Sequence, residues 1–271
     1  MTRTQQTLSL PPFTPAVTWL IAINAVVYFA MALLGLSAPL LEARFVFWFG
    51  LVPTAVMHGW VWQIVTYSVI HGGFIHWFFN MITLWMFGPS TESLRGHRWF
   101  LELFLAGVVG GALFSIGLAY SGILGNPNSI TVGASAGIYA VLMAFAMFFP
   151  ENEIIMIPLP VGIKAKYLIA ILIVVTVVFS MQESGGVAHI AHLGGLFFGY
   201  LFVKFVPRRG MSFAVSERSF GLRNAYHRWK RKRAAKKFQV YMSKQERDPK
   251  RFYPEDPDKD KKDGDSGGWV N

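Results

Sequence analysis

The 271-residue chain has no cysteine, which excludes thiol nucleophiles, disulfides and zinc sites built on thiolates, and leaves the compartment open. No cofactor and no metal are expected. Charge is scarce before residue 207, because the stretch 207–271 holds 18 of the 25 Lys and Arg residues. The segment from Tyr120 to Gly133 carries no charge at all. A cleavable secretory signal is not expected either: Met1 to Pro15 is polar and Pro-rich, and the apolar run after it is too long for a signal core. No internal repeat relates two halves of the chain, which argues against a transporter built from paired interrupted helices.

What the chain does contain is apolar sequence. Hydrophobic residues make up 53% of it and the mean hydropathy is +0.40, well above the range of soluble domains. Six segments approach the ~20 residues that span a bilayer: Val17 to Leu36, Trp62 to Phe87, Trp99 to Tyr120, Ser135 to Phe149, Lys166 to Met181 and His189 to Val206. The expected fold is therefore an all-α polytopic membrane protein of six transmembrane helices with a short central fourth helix. Its expected divisions are a cytoplasmic N-terminal segment (1–15), the bundle (16–206) and a basic, partly disordered cytoplasmic tail (207–271). Arg95, Arg98, Lys164, Lys166 and the tail put the basic loops and both termini in the cytoplasm by the positive-inside rule.

Strongly polar residues are costly at membrane depth and mark functional sites by default. His76, Asn80, Ser135 and His192 are such residues. In the predicted topology, His76, Ser135 and His192 all fall near the outer ends of even-numbered helices, so residues distant in sequence share one depth and one side. A hydroxyl, imidazoles and an amide at one depth are the inventory of a serine hydrolase. His76 and Asn80 are four apart and share a helix face, as do Ser135 and Tyr139. Gly133 and Gly137, and Gly195 and Gly199 beside His192, allow helices four and six to approach closely, with Tyr139 placed to stack on the imidazole. Each residue also has a plainer reading. Ser135 alone fits as a small packing residue, and His76 with Asn80 as an interhelical hydrogen-bond pair. His189 competes with His192 as the base, but only His192 has glycines at both +3 and +7. His71 reads as a supporting or interfacial residue. Glu92 with Arg95 reads as a helix-end pair, and Glu102 as reaching the interface.

Taken in order, His71-Gly72-Gly73-Phe74-Ile75-His76-Trp77-Phe78-Phe79-Asn80, Gly133-Ala134-Ser135-Ala136 and Ala191-His192-Leu193-Gly194-Gly195 with Gly199 resemble the motifs of rhomboid-family intramembrane serine proteases of the basic six-helix bacterial type. The span from Gly88 to Gly96 around Glu92 resembles a structural motif of that family. The resemblance covers about residues 12 to 206. It departs at Ala136, where the family usually has glycine, and at Trp62-Gln63, where it commonly has Trp-Arg. It implies a serine endopeptidase that cleaves transmembrane segments of membrane proteins, with a Ser135–His192 dyad and an oxyanion held by His76, the Asn80 amide and the Ser135 N–H. Tyr139, His71, Gly133, Gly195 and Gly199 would support them. It also implies a multi-pass protein of the bacterial plasma membrane.

The competing reading is a catalytically inactive rhomboid-like adaptor that binds membrane-protein clients. The tail's basic run, Arg228 to Phe238, is expected to meet anionic headgroups of the bilayer, and nucleic acid is not the expected partner. Phe179 and Met181 are placed at one side of substrate access by adjacency alone.

Overall fold

The computed structural model describes residues 11–156, 161–180 and 186–247. The predicted disorder after Asp248, the position of Met181 and the side chain of Phe179 lie outside what is described. The chain divides into two units, Met1–Ala214 with the helical bundle and Val215–Asn271 with most of the tail. The helices are α1 (Pro15–Ser37), α2 (Pro39–Phe49), α3 (Pro53–Met57), α4 (Gln63–Thr66), α5 (Phe74–Arg95), α6 (His97–Ser121), α7 (Ser135–Phe148), α8 (Ala165–Ser180), α9 (Gly186–Phe205) and α10 (Met211–Arg247). Proline opens α1, α2 and α3, where its missing N–H costs nothing and its fixed φ suits a first turn. Gly122 in the left-handed region ends α6.

Two of the described helices, Pro15–Ser37 and His97–Ser121, are long and apolar enough by length and composition to cross a membrane, and Ser135–Phe148 and Ala165–Val178 are shorter apolar helices. The sequence predicts six spans. α5 falls short of that measure because it carries His76, Asn80, Glu92 and Arg95. α1 turns Trp19, Ile23, Val26, Phe29, Leu33 and Leu36 away from the bundle, all exposed. Their three- and four-residue spacing makes one apolar stripe suited to lipid.

Three expectations are corrected. The segment Trp62 to Phe87 is not one helix: α4 and a 3₁₀ turn at Tyr67–Val69 come first, and α5 begins at Phe74. Gly72 and Gly73 interrupt it, since each glycine disfavours helix by about 1 kcal/mol. Gln63 is fully buried; its Oε1 accepts from Val52 N at 3.0 Å and its Nε2 donates to Phe47 O at 2.9 Å. This side chain ties the connection after α2 to α4. Second, the fold is not purely helical. Glu153–Met156 (β1) and Val161–Lys164 (β2) form an antiparallel hairpin between α7 and α8, where β-branched Ile154, Ile155, Val161 and Ile163 favour extended backbone.

The third correction concerns Glu92, which does not pair with Arg95. Its carboxylate, 4% exposed, accepts from Thr14 Oγ1 at 2.5 Å and from the N–H groups of Ala16 and Val17 at 2.9 and 3.0 Å. It satisfies the otherwise orphaned donors at the start of α1 and places a negative charge at the positive end of that helix. The Arg95 guanidinium instead lies 4.4 Å from the Phe148 ring centroid. Glu102 likewise does more than reach for the interface: its Oε2 accepts from Met211 N at 2.6 Å, the first residue of α10.

The centre of the bundle is a seam of small residues. A Cβ on Gly199 would lie 2.6 Å from Ala140 Cα, and one on Gly107 would lie 2.8 Å from Ala136 O. One on Gly111 would lie 2.6 Å from Ala136 Cβ. α6, α7 and α9 therefore meet almost backbone to backbone. Ala136, which carries one methyl more than the family's usual glycine, seats that methyl where Gly111 has none. At the far end of α7, Ala165 N donates to Asn152 O at 2.9 Å. The exposed Glu151 carboxylate accepts from Lys166 and, at 2.9 Å, from Lys164. Those two ammonium groups, Lys166 first, hold the Glu151 carboxyl down at about 2. The clamp is therefore complete above the ordinary carboxylate range and is lost only as pH falls toward that value.

Two stability outcomes follow from these contacts. Glu92→Ala removes three bonds to a buried carboxylate and should cost roughly 3 kcal/mol, whereas Thr14→Ala leaves the two backbone bonds and should cost less; thermal unfolding in detergent compares them. Gly199→Ala, which drives a methyl into α7 backbone, should destabilise by at least 1–3 kcal/mol, and Gly117→Ala, whose Cβ meets nothing within 4 Å, should not.

Candidate active site

Ser135 is the first residue of α7, and His192 lies in the second turn of α9. The seam of small residues brings these two turns together. His192 Nε2 lies 2.6 Å from Ser135 Oγ, a hydrogen-bond distance at which either tautomer defines donor and acceptor. Tyr139, one turn along α7 from Ser135, stacks on the His192 ring at 4.4 Å and 12°. That contact fixes the plane of the imidazole. Among the described residues, Nδ1 of His192 has no hydrogen-bond partner, so no carboxylate completes a triad. The competing His189 meets His192 edge-on, with ring centroids 5.5 Å apart and 86° between planes.

The opposite wall is the start of α5. Asn80 is buried and donates one Nδ2 hydrogen to His76 O at 2.9 Å, leaving its second hydrogen for another acceptor. Gly133 has φ +123°, and a Cβ there would lie 2.7 Å from His76 Nε2 and 3.7 Å from Ser135 Oγ. Glycine is required at this position twice over, for its backbone angle and for the room it leaves. His76, Gly133 and Ser135 thus come together at one spot. Gly133 N donates to Tyr67 O at 2.9 Å, and the buried Tyr67 hydroxyl donates to Val108 O at 2.8 Å, so the loop entering α7 is pinned to α6. As the first residue of a helix, Ser135 has an N–H with no partner inside it, at the positive end of the helix dipole. His71 is buried, with its ring centroid 5.1 Å from that of His76.

A cavity of about 1000 Å³ opens from this group, bounded by α5, α7, α8 and β1. Gly72, His76, Asn80, Ser135 and His192 line one end. Leu142, Leu168 and Ile154 of the hairpin line the other. The arrangement is a polar corner at the end of an apolar groove. Every residue named for the site in the sequence lies at this corner or beside it, except that Gly195 and Gly199 act from the seam behind it. Two contributors escaped the sequence reading: Gly111, which receives Ala136, and Tyr67, which holds Gly133. The four-residue spacing of Gly107 and Gly111 was the available signal for the first, whereas Tyr67 holds Gly133 through a backbone carbonyl that any residue has, and its side chain enters only through the bond to Val108 O.

A family model described as the Rhomboid domain matches residues 58–209, which take in the whole of this corner. "Rhomboid protein 1, mitochondrial" of Saccharomyces cerevisiae is 28% identical over 151 residues, 54% of this chain and 42% of its own length. YdcA of Bacillus subtilis, whose name provisionally assigns it as a rhomboid protease, is 28% identical over 191 residues, 69% of this chain and 86% of its own. "Presenilin-associated rhomboid-like protein A, mitochondrial" of Danio rerio is 33% identical over 138 residues, covering 50% and 35%. The chain thus spans less than half the length of the yeast and zebrafish relatives. Because one family model accounts for more than half of its residues, the chain belongs to the rhomboid family, whose members are integral membrane proteins.

Proposed function

We propose that the protein is an intramembrane serine endopeptidase that cleaves transmembrane segments of other membrane proteins. The observation that carries this reading is the 2.6 Å approach of His192 Nε2 to Ser135 Oγ at the polar end of an apolar groove. In the proposed reaction Ser135 Oγ attacks the peptide carbonyl carbon while His192 takes the hydroxyl proton, and the imidazolium returns that proton to the leaving amine. Water then hydrolyses the acyl-enzyme with the same base. Tyr139, stacked on the ring, keeps Nε2 aimed at the nucleophile through both steps.

The developing oxyanion needs fixed donors at the moment it forms. Three are available by chemistry: the Ser135 N–H at the start of α7, the free hydrogen of Asn80 Nδ2, and His76, which flanks Gly133. The apolar part of the groove suits the side chains of a transmembrane segment, and its polar corner suits a strand unwound from helix at the bond to be cut. The proposed topology has six spans, both termini cytoplasmic and the site in the outer half of a bacterial plasma membrane, with residues 16–206 as the protease and 207–271 as an appended tail. A catalytically inactive adaptor would bind the same clients without cutting them, and it would not require a nucleophile and a base in contact.

In proteoliposomes with a tagged single-span substrate, Ser135→Ala and His192→Ala should abolish cleavage and Ser135→Ala should abolish labelling by a fluorophosphonate. His189→Ala should retain activity. Asn80→Ala should lower turnover by about 10² to 10³ while leaving fluorophosphonate labelling of Ser135 detectable. A folded protein that neither labels nor cleaves would overturn the protease reading and favour the adaptor, whose signature is substrate binding without hydrolysis.

A further inference from the structure

The tail helix poses a separate question. Between residues 223 and 247 there are ten Lys or Arg and one acid, Glu246. Seven of those bases lie between Arg228 and Lys237 with no acid among them. At 100° per residue they surround α10 on all but one narrow face, about 100° wide, which carries His227, Ala234, Phe238, Tyr241 and Gln245. Every side chain from Arg223 to Lys244 is exposed. Arg228 with Lys232, Lys232 with Lys236, and Arg233 with Lys237 are like charges at i,i+4, which weaken a helix in water. Such a segment gains most from a neighbouring polyanion.

Two further observations select the polyanion. Rings are interleaved with the charges: Tyr226, Trp229 and Phe238 are 56%, 50% and 63% exposed, and the Arg233 guanidinium covers the Trp229 ring at 4.2 Å. Amphipathic rings beside long basic side chains suit the headgroup layer, where the ring sits at the boundary and the charge meets phosphate. The segment is also tethered. Five residues separate the end of α9 from Met211, and Glu102 of α6 accepts the Met211 N–H. A bilayer surface is therefore present at high effective concentration, whereas a dissolved polymer must be captured from solution.

We propose that residues 223–247 dock on a bilayer surface rich in anionic phospholipid headgroups. The docked segment neutralises its own i,i+4 repulsion and holds its helical form there. Within the chain the rival is its last stretch, 248–271, with seven Asp or Glu against five Lys or Arg.

The absence of cysteine makes the test direct, since Gln239→Cys supplies a single site for a spin label in the full-length protein. With Ser135→Ala as background, the label is followed in nanodiscs of phosphatidylcholine alone and of phosphatidylcholine with phosphatidylglycerol. The expected result is immobilisation in the anionic discs only, reversed by salt. Replacing Lys230, Lys232, Lys236 and Lys237 by Gln should weaken docking by roughly fivefold per base removed. Equal mobility in both lipids overturns the proposal. So does immobilisation in phosphatidylcholine discs that appears only with added RNA, or that disappears on deleting 248–271. The label reports docking and not cleavage, so its outcome is independent of the proteolytic reading.

Discussion

Gly195 of α9 lies so close to α7 that a methyl group in its place would come within 3.0 Å of the carbonyl oxygen, carbonyl carbon and Cα of Ala136. One turn further on, Gly199 faces Ala140 in the same way, and Gly107 and Gly111 of α6 close on α7 from another side. Lipid tails are as apolar as leucine, so helices in a bilayer gain little by excluding them and associate through close van der Waals packing of small surfaces. The seam sets the distance between the first turn of α7 and the second turn of α9. The contact between Ser135 and His192 depends on it, although none of its glycines touches the reacting atoms.

The polar corner is made bearable by the shortness of α7. At 14 residues and 1.5 Å per residue, it extends about 21 Å, less than the hydrocarbon thickness of a bilayer. Its N-terminal N–H groups, its serine and the loop through Gly133 are therefore enclosed by protein, where irregular backbone is tolerated. The adjoining groove turns apolar toward Leu142 and Leu168, with Ile154 of the hairpin among its lining. The proposed dyad thus occupies a small polar site at the head of a long hydrophobic channel.

Around this centre, three polar side chains act as fasteners for backbone. Gln63 joins two parts of the connection between α2 and α5, Glu92 receives the start of α1, and Glu102 receives the start of α10. Each accepts from N–H groups at a chain turn or helix start, and for the buried Gln63 and Glu92 the low-dielectric setting makes such bonds strong and their loss costly. Glu92 shows why charge in an apolar segment need not signal catalysis: its three donors account for it fully.

Much of this was legible in the sequence. Helix ends at Ser37, Ser121 and Phe148 lie within a residue of the hydropathy boundaries, and the spacing of His76 with Asn80 and of Ser135 with Tyr139 already placed each pair on one face. The break at Gly72-Gly73 was hidden because its flanks are as apolar as a span. The hairpin was hidden because β1 and β2 are four residues each, and the donors on Glu92 because they lie 75 to 78 residues away. The sequence by itself determined which chemistry is present and on which helices, because hydropathy and helical periodicity act over a few turns. Only the tertiary structure decided that Ser135 meets His192 across 57 residues, that Glu92 belongs to α1 rather than to Arg95, and that Ile154 of the hairpin lines the groove. Those contacts depend on separations between backbones, which many small residues set jointly and no local pattern encodes.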